Sequence, residues 1–259
     1  MNIKSITLLI AMSFGAAAIG QAATVALGEN TNMVFADGDN ASGDAVYNDG
    51  NPYTWSITGN VNVGDGVGTN AGRIFVGTNS GAKIGDLTLH GTSGAGDTLL
   101  LNGYHSADRV LGRLGHNTGG ESATISITGG LAVTMGGRNL KIAQGTNTFQ
   151  VLDGSLDYAT NTGFGFLKND GGGSVGHVVG ASGSIIIDAV ITDAAGFTAW
   201  ADANGLDATG KIGTVTADSG LTLAFANDGT NTTITAIPEP SSAALLGLGG
   251  LTLILRRRM

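Results

Sequence analysis

Glycine, serine and histidine fall together at Gly172-Gly173-Ser174-Val175-Gly176-His177, a run that fits the G-x-S-x-G pattern of a nucleophile elbow. Such an elbow needs a strand-to-helix turn in an α/β sheet to lift the serine clear of its neighbours, and the flanking sequence supplies no such sheet. Gly205 to Lys211 imitates a phosphate loop, G-x-x-x-x-G-K, but Ile212 stands where a Ser or Thr would hold magnesium. The four histidines, His90, His105, His116 and His177, are too scattered for metal-ligand spacing and are expected at turns or on the surface. A denser set of oxygens lies at Asp37-Gly38-Asp39-Asn40-Ala41-Ser42-Gly43-Asp44. There Asp37, Asp39 and Asp44 are candidate calcium ligands, without the spacing or the terminal Glu of an EF-hand. Thr214-Val215-Thr216 and Thr222 are read as the solvated side of strands rather than as an ice-binding face. No catalytic residue is assigned, the chain is read as a non-enzyme, and calcium is the single candidate cofactor.

The elements that would carry these residues are strands. Between Val25 and Ala236 there is one proline, Pro52, and the sequence is written in short apolar-alternating runs closed by Gly, Asn or Asp. Ala123-Thr124-Ile125-Ser126-Ile127-Thr128 ends at Gly129-Gly130, and Leu131 to Met135 ends at Gly136-Gly137. Comparable runs are Asp86 to Leu89, Thr98 to Leu101, Phe149 to Leu152, Ser184 to Ile187, Leu221 to Phe225 and Thr232 to Thr235. Period-two alternation of Val, Ile, Leu and Thr between glycine-rich turns predicts strands. A helical period is expected only at Gly196 to Asn204.

Some runs recur as a unit. Gly72 to Asn79, Gly112 to Thr118 and Gly137 to Asn147 share a Gly-Arg start, an apolar core and a close on a polar turn with Thr and Asn, with the Gly-Arg starts at spacings of 40 and 25 residues. A longer echo joins Ser56-Ile57-Thr58-Gly59 to Ser126-Ile127-Thr128-Gly129. Irregular repeats of short strands predict an all-β, degenerate β-solenoid, like a parallel β-helix, in which each coil buries its inward side chains on the next. A β-sandwich is the alternative. The expected organisation is a glycine-rich β-repeat region over 24–183 and a C-terminal β cap over 184–236.

Composition bounds the partners. Glycine makes up 45 of 259 residues, charged residues 12%, and cysteine is absent, so no disulfide holds the fold. Setting aside Lys4, Glu239 and Arg256–Arg258 leaves 8 basic against 19 acidic residues, a net charge of −11. A nucleic-acid partner is not expected at that charge. Residues 1–23 read as a signal peptide: Lys4 precedes an apolar stretch from Ile6 to Ile19, and small residues at Ala22 or Ala23 suit signal peptidase.

The other end has three parts in fixed order. Pro238-Glu239-Pro240 is a stiff hinge that holds Glu239 on an extended, exposed segment. Ser241 to Leu255 is an uncharged run of fifteen residues, about 22 Å long as a helix against a hydrocarbon core of roughly 30 Å. Arg256, Arg257 and Arg258 then act as the membrane stop and fix orientation, because their long side chains snorkel and stay on the cytoplasmic side. A single short transmembrane helix over 241–255 is therefore expected, with membrane lipid as its partner.

This order resembles a PEP-CTERM sorting signal, over residues 237–259; tails of this form are also described as an ice-binding protein C-terminal domain. The resemblance implies that Pro238, Glu239 and Pro240 form the sorting motif read by an exosortase, a membrane-embedded cysteine transpeptidase-like enzyme that cuts near it. Ser56 to Gly183 is also loosely similar to glycine-rich, autotransporter-like passenger repeats. The implied protein is exported, sits in the inner membrane before processing, and then passes to the cell surface or the extracellular matrix. Its expected role is that of a non-enzymatic surface or matrix protein, with exopolysaccharide a further candidate partner. The alternative is a carbohydrate-binding or adhesive module, and behind it an enzyme acting on polysaccharide.

Overall fold

The computed structural model describes residues 23–27, 32–33, 52–63, 74–76, 86–93, 96–101, 110–114, 122–136, 139–142, 146–159, 165–168, 173–204 and 213–239. The chain winds in coils. The first holds β1 (Ala23–Leu27) and β2 (Asn32–Met33); the second, β3 (Tyr53–Ile57), β4 (Asn60–Val63) and β5 (Ile74–Val76). The third holds β6 (Leu87–Gly91), β7 (Thr98–Leu101) and β8 (Val110–Leu114); the fourth, β9 (Ala123–Thr128), β10 (Leu131–Met135) and β11 (Asn139–Ile142). In the fifth, β12 (Thr146–Asp157) runs through the corner that separates two strands in earlier coils, and β13 (Gly165–Lys168) follows. β14 (Ser174–Ile187) turns the same corner; α1 (Ala194–Ala203), β15 (Gly213–Ala217), β16 (Leu221–Asn227) and β17 (Thr232–Pro238) complete the order.

Every strand from β1 to β15 pairs in parallel with its counterpart one coil away, which makes the architecture a β-solenoid and removes the sandwich alternative. Three stacks result. The first face stacks β1, β3, β6, β9, the start of β12, the start of β14, and β15. At about 4.8 Å per rung these seven rungs span roughly 29 Å. The second face stacks β2, β4, β7, β10 and the ends of β12 and β14; the third stacks β5, β8, β11 and β13. On the second face the parallel order ends: β17 lies antiparallel to the end of β14, and β16 lies antiparallel to β17.

Register explains the core. Because side chains alternate along a strand, columns of inward residues run along the solenoid. Trp55, Leu89, Ile127, Val151 and Val179 occupy one column of the first face. Val61, Leu99, Val133, Leu156, Ile185 and Ile234 occupy one column of the second. All are buried, and each such Val, Leu or Ile contributes roughly 1.5–3 kcal/mol. Thr54, Thr88, Ser126, Gln150, Val178 and Thr216 mark successive rungs of the outer face, so the coils take 34, 38, 24, 28 and 38 residues. The length varies at the connections, while the rungs keep their register.

The apolar runs of the Gly-Arg units fall on stacked strands, β5, β8 and β11, but not in the alignment their sequences suggest: Gly112 stands opposite Ile74 and Leu140. Strand pairing follows the apolar period rather than the repeated dipeptide. The corner between the first two faces is where glycine is required. Gly129 has φ +70°, and a Cβ there would collide with the carbonyl oxygen of Gly91 in the coil below. Asp97, 2% exposed, ties the same corner together. Its carboxylate accepts from the Gly59 N–H (2.7 Å), the Ser93 N–H (2.7 Å) and the Ser93 hydroxyl (2.9 Å). These donors, the Ser93 N–H first, hold its pKa below the ordinary carboxylate value.

The helix expected at Gly196 to Asn204 is α1, starting two residues earlier. The Asp193 side chain caps it, accepting from the Gly196 N–H at 2.7 Å. It buries Phe197, Trp200 and Ala201 against the core. Among the described residues no helix is long and apolar enough to cross a membrane. Residues 1–22 of the expected signal peptide and the expected span over 241–255 lie outside the described residues, while Ala23 is the first residue of β1.

Candidate functional site

The hairpin of β16 and β17 positions the hinge residues. Two apolar-alternating strands are joined at Asp228-Gly229-Thr230-Asn231, where Gly229 takes φ +96° and the Asp228 carboxylate accepts from the Thr230 and Asn231 N–H groups at 2.9 and 2.8 Å. At the other end the chain enters β16 through Asp218-Ser219-Gly220, with Gly220 at φ +77° and the Asp218 N–H bonded to the Val179 carbonyl at 2.9 Å. β17 returns to this end. Ile234 and Ala236 point into the core, 0% and 4% exposed, while Ile237 is 50% exposed and Pro238 and Glu239 are exposed.

Pro238 is the last residue of β17, opposite Leu221. The Glu239 N–H donates to the Gly220 carbonyl at 3.3 Å, so Leu221 and Pro238 form a pair flanked by hydrogen bonds rather than joined by them. The missing N–H of proline therefore faces away from β16, and beyond Thr235 no β14 residue pairs with β17 on that side. The Thr222 hydroxyl donates to Glu239 Oε1 at 3.4 Å. The hinge thus begins as a direct continuation of the last strand, with the Glu239 carboxylate in solvent. Pro240 and Arg256, Arg257 and Arg258 lie outside the described residues, as do Asp37, Asp39 and Asp44.

The sequence did not single out Gly220 and Thr222 as holders of Glu239. The signal was present: the runs Leu221–Phe225 and Thr232–Thr235 flank an Asp-Gly turn, which is the mark of a hairpin.

The elbow-like run takes another form. Ser174 and His177 stand an odd number of residues apart in β14 and so project from opposite faces, Ser174 half-buried outward and His177 fully buried inward. The expectation that a lone histidine sits at a turn or on the surface is corrected for His177. Period-two alternation places it in the apolar column between Phe149 and Val215. Its Nδ1–H donates to the Thr214 carbonyl at 3.1 Å, which leaves Nε2 free of a proton to accept from the Tyr158 hydroxyl at 2.8 Å. The ring stacks on Phe149 at 5.5 Å and meets the edge of Phe197 at 5.1 Å. Burial pushes its pKa down to about 4, against a smaller opposing pull from the Thr214 carbonyl, so the imidazole is neutral at pH 7. Burial likewise pushes the Tyr158 phenol well up, keeping it a donor. This group joins α1, β14 and β15.

His90, half-buried on the outer face of β6, is within hydrogen-bond distance of the Thr128 hydroxyl through Nδ1 at 3.0 Å. His105, His116 and Gly205–Lys211 lie outside the described residues. Thr214 and Thr216 are exposed on β15, as is Thr222 on β16. Among the described residues no group of three or more His, Cys, Asp or Glu side chains is placed to hold a metal ion.

Residues 236–258 match the PEP-CTERM protein-sorting motif. The motif implies processing by an exosortase, with export and membrane-associated sorting to the cell surface. No curated protein and no solved structure matches the chain.

Proposed function

We propose that the protein is an exported, non-enzymatic surface or extracellular-matrix protein whose β-solenoid is delivered by exosortase processing of its Pro-Glu-Pro tail. The observation that carries this reading is the placement of the motif: Pro238 and Glu239 emerge exposed at the end of the final strand, outside the buried core. A signal peptide over 1–23 brings the chain to the export machinery, the apolar run over 241–255 seats it in the membrane, and Arg256–Arg258 keep its C-terminus inside. The test is expression in paired strains with and without the exosortase. The tail-bearing form is expected to accumulate in membranes of the strain lacking the enzyme. Equal release in both strains would refute the proposal.

A second reading, a carbohydrate-binding or adhesive module, is favoured by one surface. The outer column of the first face presents the partly exposed polar side chains of Thr54, Thr88, Ser126 and Gln150 on consecutive rungs, and the Ser126 hydroxyl donates to Gln150 Oε1 at 3.1 Å. Retention of a polysaccharide by the purified chain, lost on replacing Thr88 and Gln150 with alanine, would support it. A glycan array on which nothing is retained would remove it.

A further inference from the structure

β17 changes character along its length. From Thr232 to Thr235 it is flanked on both sides, by β14 and β16; from Ala236 onward only β16 pairs with it. Burial changes one residue later, between Ala236 at 4% exposed and Ile237 at 50%. The contacts that hold the outermost residue are long, 3.3 Å at the Glu239 N–H and 3.4 Å at its carboxylate. Since Leu221 and Pro238 form a non-hydrogen-bonded pair, Thr222 and Ile237 form the hydrogen-bonded one, and the main-chain groups of Ile237 are directed at β16.

We infer that Ile237–Glu239 is a detachable strip: it peels from β16 and is taken up by the processing enzyme as an extended peptide, and the buried Ala236 is where peeling stops. This rests on the sorting reading above. A groove that recognises an extended peptide pairs with its main-chain groups and reads alternate side chains. While the strip is attached, the Ile237 N–H and C=O are engaged by Thr222. On its other edge Pro238 offers no N–H, so that edge is a poor template for pairing. Detachment frees the groups of Ile237 and Glu239 together with an apolar side chain, a proline ring and a carboxylate in sequence. It leaves Ile234 and Ala236 in the core.

Because the chain has no cysteine, the double substitution Thr222→Cys and Ile237→Cys creates one defined cross-strand disulfide. The full-length chain, oxidised or reduced, is presented to membranes that carry the exosortase. Cleavage that proceeds through the detached state tracks its population, so the oxidised chain is expected to be cut at roughly a tenth of the reduced rate or less, with recovery on adding reductant. Equal rates would overturn the strip. If neither form nor the parent chain is cut, the sorting reading fails instead, and amide hydrogen exchange on the parent chain in detergent micelles decides the strip separately. Exchange at Ile237 and Glu239 is expected to be roughly 100-fold faster than at Thr233, in the doubly flanked part. Protection equal to that of Thr233 would overturn it.

Discussion

Acidification should destabilise the solenoid through His177 before it does so through the carboxylates. The ring is fully buried and neutral, with a pKa near 4 in the fold against an ordinary 6.5. The unfolded chain therefore binds a proton that the folded chain refuses between those two values. Stability contributed by the neutral imidazole is complete above pH 6.5, declines as the pH falls toward 4, and levels off below. At about 1.4 kcal/mol per pH unit the loss totals roughly 3 kcal/mol, a sizeable share of the 5–15 kcal/mol typical of a domain. His177→Gln isolates this effect, because its amide can still donate to Thr214 and accept from Tyr158 but does not titrate. Urea unfolding of the chain and of this variant in mild detergent, at half-unit steps from pH 7.5 to 4, gives two stability curves. Their difference cancels the titration of groups common to both. It is expected to shrink steadily as the pH falls below 6.5, even though the variant loses some stability at neutral pH with the stack on Phe149. A difference that stays constant within about 0.5 kcal/mol would refute the assignment of His177 as a buried neutral base.

Other outcomes follow from single residues. Thr232 is buried, and its hydroxyl accepts from the Ile191 N–H at 3.0 Å while donating to the Ala189 carbonyl at 2.6 Å. Thr232→Val is expected to cost about 1–3 kcal/mol, read as a lower urea midpoint at unchanged slope. Gly129→Ala forces a side chain onto φ +70° and against the Gly91 carbonyl, and should lower stability by about 2 kcal/mol or more in the same assay. Asp97 has a pKa held below its ordinary 3.8, so its contribution is intact above that value and disappears as the pH falls through the depressed one. Asp97→Asn should flatten the acid limb there without altering the slope between pH 4 and 6.5, which belongs to His177.

The strands were legible because period-two alternation is a local property, and the solenoid because short strands with glycine corners recur. Which strand stacks on which was less so. The runs that follow the Gly-Arg starts, 40 and 25 residues apart, coincide with β5, β8 and β11, yet their pairing is offset from the dipeptide, with Gly112 opposite Ile74 and Leu140. Residue type alone misplaces His177, whose position between Val175 and Val179 in an alternating strand points inward. The sorting motif was legible as sequence because it is linear. Its attachment to Gly220 and Thr222 was not, since those contacts depend on a hairpin that closes over seventeen residues.

The fold limits where such a tail can be severed. Ile234 covers the last position of the column that runs from Val61 through Leu99, Val133, Leu156 and Ile185, and β17 supplies the antiparallel partner of β14 from Ser184 to Ile187. A cut before Ile234 would remove the partners of Ser184 and Ile185 and leave Ile185 facing water, at a cost of roughly 1.5–3 kcal/mol. A cut after Ala236 touches none of these contacts. Pro238 and Glu239, which lie within the matched motif, fall beyond that boundary, so the solenoid tolerates their loss.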